Sequence, residues 1–179
     1  MSASVDVTED DLTTALRGFL LSLISGEIVV SQENLVSTPL GEFCTMTSLG
    51  ITRLSTNRKT YHDTGNPVGG TSSDISSAKW RCQLDFYGDS AHDNANIIST
   101  MMRSDYACEK LKASGIEMQP LYADEPHNTT MINGEQQYES RWTMDAHFQF
   151  NPVITTPMEF ADELNIGLVE IDAKYPPGA

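Results

Sequence analysis

The chain has 179 residues, 39% of them hydrophobic, and a formal net charge of −14 from 25 acidic and 11 basic side chains. This is enough chain for one domain with its own core. Its acidity excludes the basic footprint that gripping the outside of a nucleic-acid duplex requires, and no apolar run reaches the ~18 to 20 residues of a membrane-spanning helix. The richest apolar stretch, Phe19 to Ile24, is short and follows an acidic segment, the wrong charge for a secretory signal, so a cytosolic protein is expected at synthesis.

Thr8 is placed to cap a helix, with Glu9, Asp10 and Asp11 in its first turn, where the helix dipole favours negative charge. Leu12, Ala15, Leu16, Phe19, Leu20 and Leu23 then recur at helical spacing, which predicts an amphipathic helix stopped by Gly26. Ile28 to Val30 reads as a short strand. Phe43 to Leu54 is Thr-rich and β-favouring, with a kink or bulge expected at Gly50. Residues 62–77 are mostly Gly, Ser, Thr, Asn and Pro, with little that could enter a core, and are expected to form a flexible loop. Around it a long protruding β-hairpin is expected, one arm ending near Tyr61 and the other beginning near Ala78.

Lys79 to Phe86 alternates polar and apolar residues with period two, the pattern of a half-buried strand. Gly88-Asp89-Ser90 then turns into a helix with Ala91, Asn94, Ala95, Ile98, Met101 and Met102 on one face. A second short helix begins at Asp105 and stops at Gly115. Met118 to Tyr122 reads as a strand, and a turn follows at Asp124-Glu125-Pro126. Tyr138 to Phe150 alternates as strictly as Lys79 to Phe86 and would extend ~43 Å as one strand. Thr156-Pro157-Met158-Glu159 has the parts of a helix start, with Phe160, Ala161 and Leu164 facing inward. A last strand is expected over Ile166 to Ile171, and a frayed tail over 175–179.

This order of elements predicts an α+β fold over residues 1–179. Its sheet is mostly antiparallel or mixed, carries the protruding hairpin, and is covered on one face by two main helices.

Catalytic motifs are missing: there is no phosphate-binding Gly-rich loop with Lys, no Gly-x-Ser-x-Gly elbow and no His-Glu-x-x-His. Cys44, Cys82 and Cys108 are widely spaced, and Cys82 falls on the apolar side of its strand, as small core residues do. Asp85, Asp145 and His147 lie on the polar sides of the two alternating strands and are the candidates for a small acidic metal-dependent hydrolase. Alternating charge is also what any solvated sheet face shows, and no catalytic, cofactor or metal residues are assigned.

The charge is unevenly placed. Arg53, Arg58, Lys59, Lys79 and Arg81 face only Asp63 and Asp74 between Thr52 and Cys82, making that stretch about +3 on a body near −17. A locally basic hairpin on an acidic body would attract the acidic surface of a second copy. These five residues, with Glu139 and Arg141 on the second alternating strand, are the candidate subunit contacts.

Several separated blocks carry a family likeness. Leu84-Asp85-Phe86-Tyr87-Gly88-Asp89-Ser90-Ala91-His92-Asp93-Asn94-Ala95 is followed by Ile98-Ser99-Thr100 and Asp105-Tyr106-Ala107-Cys108. Next come Pro120-Leu121-Tyr122-Ala123-Asp124 and the run Ile132 to Trp142. Asn151-Pro152-Val153, Phe160-Ala161-Asp162 and the stretch Val169 to Pro176 complete the set. Together they resemble the phage neck terminator family, the tail-completion and head–tail joining proteins of tailed bacteriophages. The likeness spans nearly the whole chain, is strongest from residue 80 onward, and leaves residues 55–78 unmatched.

The resemblance implies a structural virion protein of the neck, synthesised in the host cytoplasm, without catalytic residues or cofactors. It implies a homo-oligomer, a hexameric ring that caps the tail tube, stops its growth and joins the tail to the head-side connector. Partners would be the tail tube protein on one side and the connector or stopper on the other, with a sheath contact in a contractile tail. The genome would pass through the lumen without specific binding. A different neck role, as stopper, adaptor or tube-end component, is the alternative within the same machine.

Overall fold

The computed structural model of the protein describes residues 2–32, 37–132, 136–161 and 167. In chain order its elements begin with β1 (Ser4–Val5), α1 (Glu9–Leu21), β2 (Glu27–Val30), β3 (Phe43–Arg53), β4 (Arg58–His62), β5 (Gly70–Ile75) and β6 (Ala78–Tyr87). They continue with α2 (Ala91–Met101), α3 (Asp105–Ala113), β7 (Met118–Ala123), β8 (His127–Asn128), β9 (Met131–Ile132), β10 (Tyr138–Glu139), β11 (Arg141–Phe150) and β12 (Val153–Met158). The fold is α+β, as the order of elements predicts.

The body is a sheet in the order β2-β3-β6-β11-β7, with β8 also pairing β11. Among the described strands only β2 and β3 run parallel. At its centre β6 and β11 pair antiparallel from Arg141 opposite Tyr87 to Phe150 opposite Ala78. On one face Trp80, Cys82, Leu84 and Phe86 line up with Phe148, Ala146, Met144 and Trp142, and all but Trp142 are buried. Leu12, Leu16, Phe19 and Leu20 of α1, Ala95 and Ile98 of α2, and Ala107 and Leu111 of α3 close the same core. The alanines of α2 and α3 allow helix and sheet to approach closely. Three helices, rather than two, cover this face, because the short α3 packs on both α1 and β7.

Helix α1 begins where the sequence places it. Thr8 and Asp11 form a reciprocal capping box, in which the Thr8 hydroxyl accepts from the Asp11 amide and the Asp11 carboxylate accepts from the Thr8 amide at 2.8 Å. The Thr8 hydroxyl also donates to Asp11 Oδ2 at 2.6 Å, and this bond, followed by the one from the Thr8 amide, holds the Asp11 carboxyl below its ordinary pKa. Strand β3 carries a register shift between Ser48 and Gly50, and Gly50 has φ +119°, a conformation that favours glycine.

Four expectations are corrected. First, residues 62–77 are not one flexible loop: Gly70–Ile75 is strand β5, paired with β4 on one side and β12 on the other. The arms that flank the excursion are β3, ending at Arg53, and β6, beginning at Ala78, and they pair inside the body sheet. The excursion between them is a shorter hairpin, β4–β5, within a second sheet of order β1-β12-β5-β4. Second, Val153–Met158 is strand β12, not the lead-in to a helix. Val153, Ile154, Thr155 and Thr156 are all β-branched, and their ladder to β5 outweighs the local cap signal. Pro157 is tolerated because β1 pairs only with Ile154 and Thr155, so that side of the strand is open by Pro157. Of the inward residues expected of that helix, Leu164 lies outside the described residues.

Third, the alternation from Tyr138 to Phe150 is not one strand. Its partner β6 stops at Tyr87, and Gly88, at φ +99°, turns that chain away. Tyr138 and Glu139 therefore leave the body sheet at Ser140 and pair with β9 in a two-stranded ribbon. Fourth, α1 ends at Leu21, before Gly26. The strand expected over Ile166 to Ile171 and the tail at 175–179 lie outside the described residues, Gly167 excepted.

Close packing also explains Gly70. A Cβ there would collide with the Phe160 ring, and the Phe160 amide donates to the Pro67 carbonyl at 3.3 Å. Phe160 thus closes the β4–β5 hairpin onto β12.

Two measurements check the core. Trp80 is fully buried and its Nε1–H donates to Ser48 Oγ at 2.9 Å. Trp80→Ala should cost about 3–5 kcal/mol in urea unfolding, whereas a loss below about 1 kcal/mol would contradict this packing. Cys44 and Cys82 are buried and Cys108 is exposed. Burial pushes the Cys82 thiol up to about 12 and Cys44 well above its ordinary value, so neither is a thiolate near pH 8. One thiol per native chain should react with a thiol reagent there, and all three after unfolding.

Candidate functional site

The face of the body sheet away from the helices carries its charge in cross-strand rows. Asp85 on β6 stands between Thr143 on β11 and Thr45 on β3 and is only 3% exposed. A carboxylate this buried needs a cation and donors. Arg141 supplies both Nη2–H, at 2.9 Å, and Nε–H, at 3.2 Å, to Asp85 Oδ1. Thr143 donates to the same oxygen at 2.6 Å, and Gln83 Nε2–H reaches both oxygens at 3.0 and 3.1 Å. The Arg141 guanidinium also lies 5.9 Å from the centre of the Tyr87 ring, which stacks on Phe43 at 4.3 Å.

Further along the face Arg81 Nε stands 3.8 Å from Asp145. His147 stacks on Tyr122 at 4.4 Å, with Nε2 3.4 Å from Asp124. Asp85, Asp145 and His147 are therefore each engaged by a different neighbour and do not converge. Among the described residues no group of three His, Cys, Asp or Glu side chains is placed to hold a metal ion.

The candidate contact residues separate into two groups. Arg141, expected at a subunit contact, is occupied by Asp85 of its own chain, and Arg81 is partly occupied by Asp145. Lys79 lies near the far end of the same face, opposite Thr52 and Gln149. Arg53, Arg58 and Lys59 belong instead to an arm. Residues 49–69 are exposed without exception, although they include the end of β3 and all of β4. Within the arm, Lys59 meets Asp74 at 3.6 Å with both side chains partly exposed, a pair worth little. Among the described residues no carboxylate pairs with Arg53 or Arg58. Among the described residues β4 is bonded only to β5, and basic side chains on its other edge discourage unspecific strand pairing. Glu139 is exposed on the β9–β10 ribbon, at the opposite end of the body sheet.

Sequence reasoning missed the apolar half of these surfaces. Ile51, Leu54, Tyr61 and Val68 are all more than half exposed on the arm, and Leu40 and Tyr138 stand out near the ribbon. Their spacing gives no periodic signal, because exposure here follows from which elements stop short of them. The Gln83 and Thr143 donors were visible only as polar members of an alternating face.

One protein-family model, described as phage neck terminator protein, matches residues 10–172. No curated protein matches the chain.

Arg141→Ala strips from Asp85 the one cation paired with it among the described residues and should cost about 2–4 kcal/mol in urea unfolding. Asp85→Asn in the same chain should recover part of that loss. Unchanged stability with altered assembly would make Arg141 a contact between copies instead.

Proposed function

This chain belongs to the phage neck terminator family, a structural family of the virion, and from that premise we propose that it works as a ring at the top of the tail. Six copies close head to tail, cap the tail tube, stop its growth and present a surface to the head-side connector. The match over residues 10–172 carries the reading, because it takes in the body sheet, the second sheet apart from β1, and the three described helices.

The distribution of surface supports it. A head-to-tail ring needs two different complementary patches on each subunit, since its contacts are heterologous. The subunit carries a basic arm at one end of its body sheet and acidic surface elsewhere. Arg53, Arg58, Lys59 and Lys79 act in the contact between copies, as does Glu139. Arg81 and Arg141, held by Asp145 and Asp85, keep the sheet face in shape. The surplus acid lines the lumen, where it repels DNA phosphates and lets the genome slide. The tube protein meets one rim and the connector the other, with a sheath contact added in a contractile tail. Assembly takes place in the host cytoplasm.

Purified protein mixed with growing tail tubes of its own phage tests this. Electron microscopy should show a ring with an open centre at one tube end, and tubes of fixed length. Tubes that grow on unaffected, or a protein bound along the tube wall, would refute it. If charge drives the contact, raising salt from about 0.05 to 0.5 M should shift purified rings toward monomers. A salt-independent mass would leave the apolar part of the contact in charge.

A further inference from the structure

We propose that the exposed arm of one copy seats in the cleft at the opposite end of the next copy's body sheet, an assignment that rests on the ring reading above. The cleft, of about 550 Å³, opens at the Phe43–Tyr87–Arg141 rung of the sheet. Phe43, Tyr87, Leu40 and Tyr138 give it apolar walls, and Asp89 and Glu139 stand on its rim. Leu40 is 98% exposed and Tyr138 81%. Such apolar exposure, rimmed by acid, marks a contact site.

The arm has the matching composition. Leu54 and Tyr61 are half or more exposed, and Arg53, Arg58 and Lys59 surround them. Apolar surface meets apolar surface, while the basic side chains meet Asp89 and Glu139. Aromatic and Arg anchors in such a centre carry most of an interface's energy, and the charges set partner and register.

Position makes the contact heterologous. The cleft lies at the first rung of the β6–β11 ladder, where Arg141 faces Tyr87. The arm leaves from the last rung, where Arg53 and Phe150 both face Ala78. Nine residue steps of strand separate the two, roughly 30 Å. The arm is also tied down near its own end of the sheet, through β5 paired to β12. A chain cannot fill its own cleft, so the occupant is a second copy, and that copy's cleft is left open for a third.

Paired charge reversal tests this. One variant carries Arg58→Glu and Lys59→Glu on the arm; the other carries Asp89→Lys and Glu139→Lys at the cleft. All four residues are exposed, so circular dichroism and urea midpoints should match the parent protein. In sedimentation, each variant alone should remain a monomer under conditions where the parent forms rings. A 1:1 mixture should regain the parent's mass, because reversed arms then meet reversed clefts in alternation. A bis-maleimide should also link Tyr61→Cys to Tyr138→Cys chains, each in a Cys108→Ser background, when the two are mixed. If either reversed variant forms rings alone, or the mixture stays monomeric, the arm-in-cleft contact is overturned while rings of the parent keep the ring reading intact. A parent protein that stays monomeric both alone and on tail tubes overturns the ring reading itself.

Discussion

The antiparallel ladder between β6 and β11 holds the rest of the molecule in place. Ten residues on each strand pair without a break, so every second side chain must point to the same side. One side is almost wholly apolar and draws the three helices onto it. The other side cannot be covered by a helix and must satisfy its own polar groups within the sheet. Asp85 is the hardest of these to satisfy, and Arg141, Thr143 and Gln83 converge on it from the same strand and its neighbour. A slip of one residue in this ladder would turn Trp80 and Phe148 toward solvent and push Arg81 and His147 into the core.

The length of that ladder also separates the two surfaces assigned to assembly. At its first rung Gly88 turns β6 away, β11 begins only after the ribbon has peeled off, and the aromatic cleft is left between them. At its last rung β3 runs past the helices, and the chain goes out into the arm before returning as β5 and β6. Opposite ends of the sheet thus carry a basic, partly apolar arm and an acid-rimmed cleft, two different patches of the kind the proposed head-to-tail contact would use. Among the described residues Asp85, Asp145 and His147 on the polar face each lie against a different neighbour.

Periodicity was a good guide wherever a segment buries one face against the body. The helix from Glu9, the strand around Trp80, the helix from Ala91 and the strand ending at Phe150 all follow from it. It failed where pairing, not burial, forms the element. Thr71, Ser73 and Asp74 of β5 have a loop's composition, yet they form a strand because β4 and β12 offer ladders on both sides. Val153 to Thr156 carries β-branched residues, but the Thr-Pro-x-Glu that begins at Thr156 has the local pattern of a helix cap. The break at Ser140 has no mark in its own segment, because its cause is the end of β6 at Tyr87.

What the chain determined by its residues alone is the α+β class, the buried face of the central strands, the capped first helix, the bulge at Gly50, the concentration of basic charge between Arg53 and Arg81, and the family likeness. These rest on local spacing and composition, which a linear chain carries in full. Only the tertiary structure decided that Arg141 serves Asp85, that β5 and β12 join in a second sheet, and that the apolar arm and the acidic cleft stand at opposite ends. Each of these depends on which strand lies beside which, a relation between residues tens of positions apart that forms when the core closes.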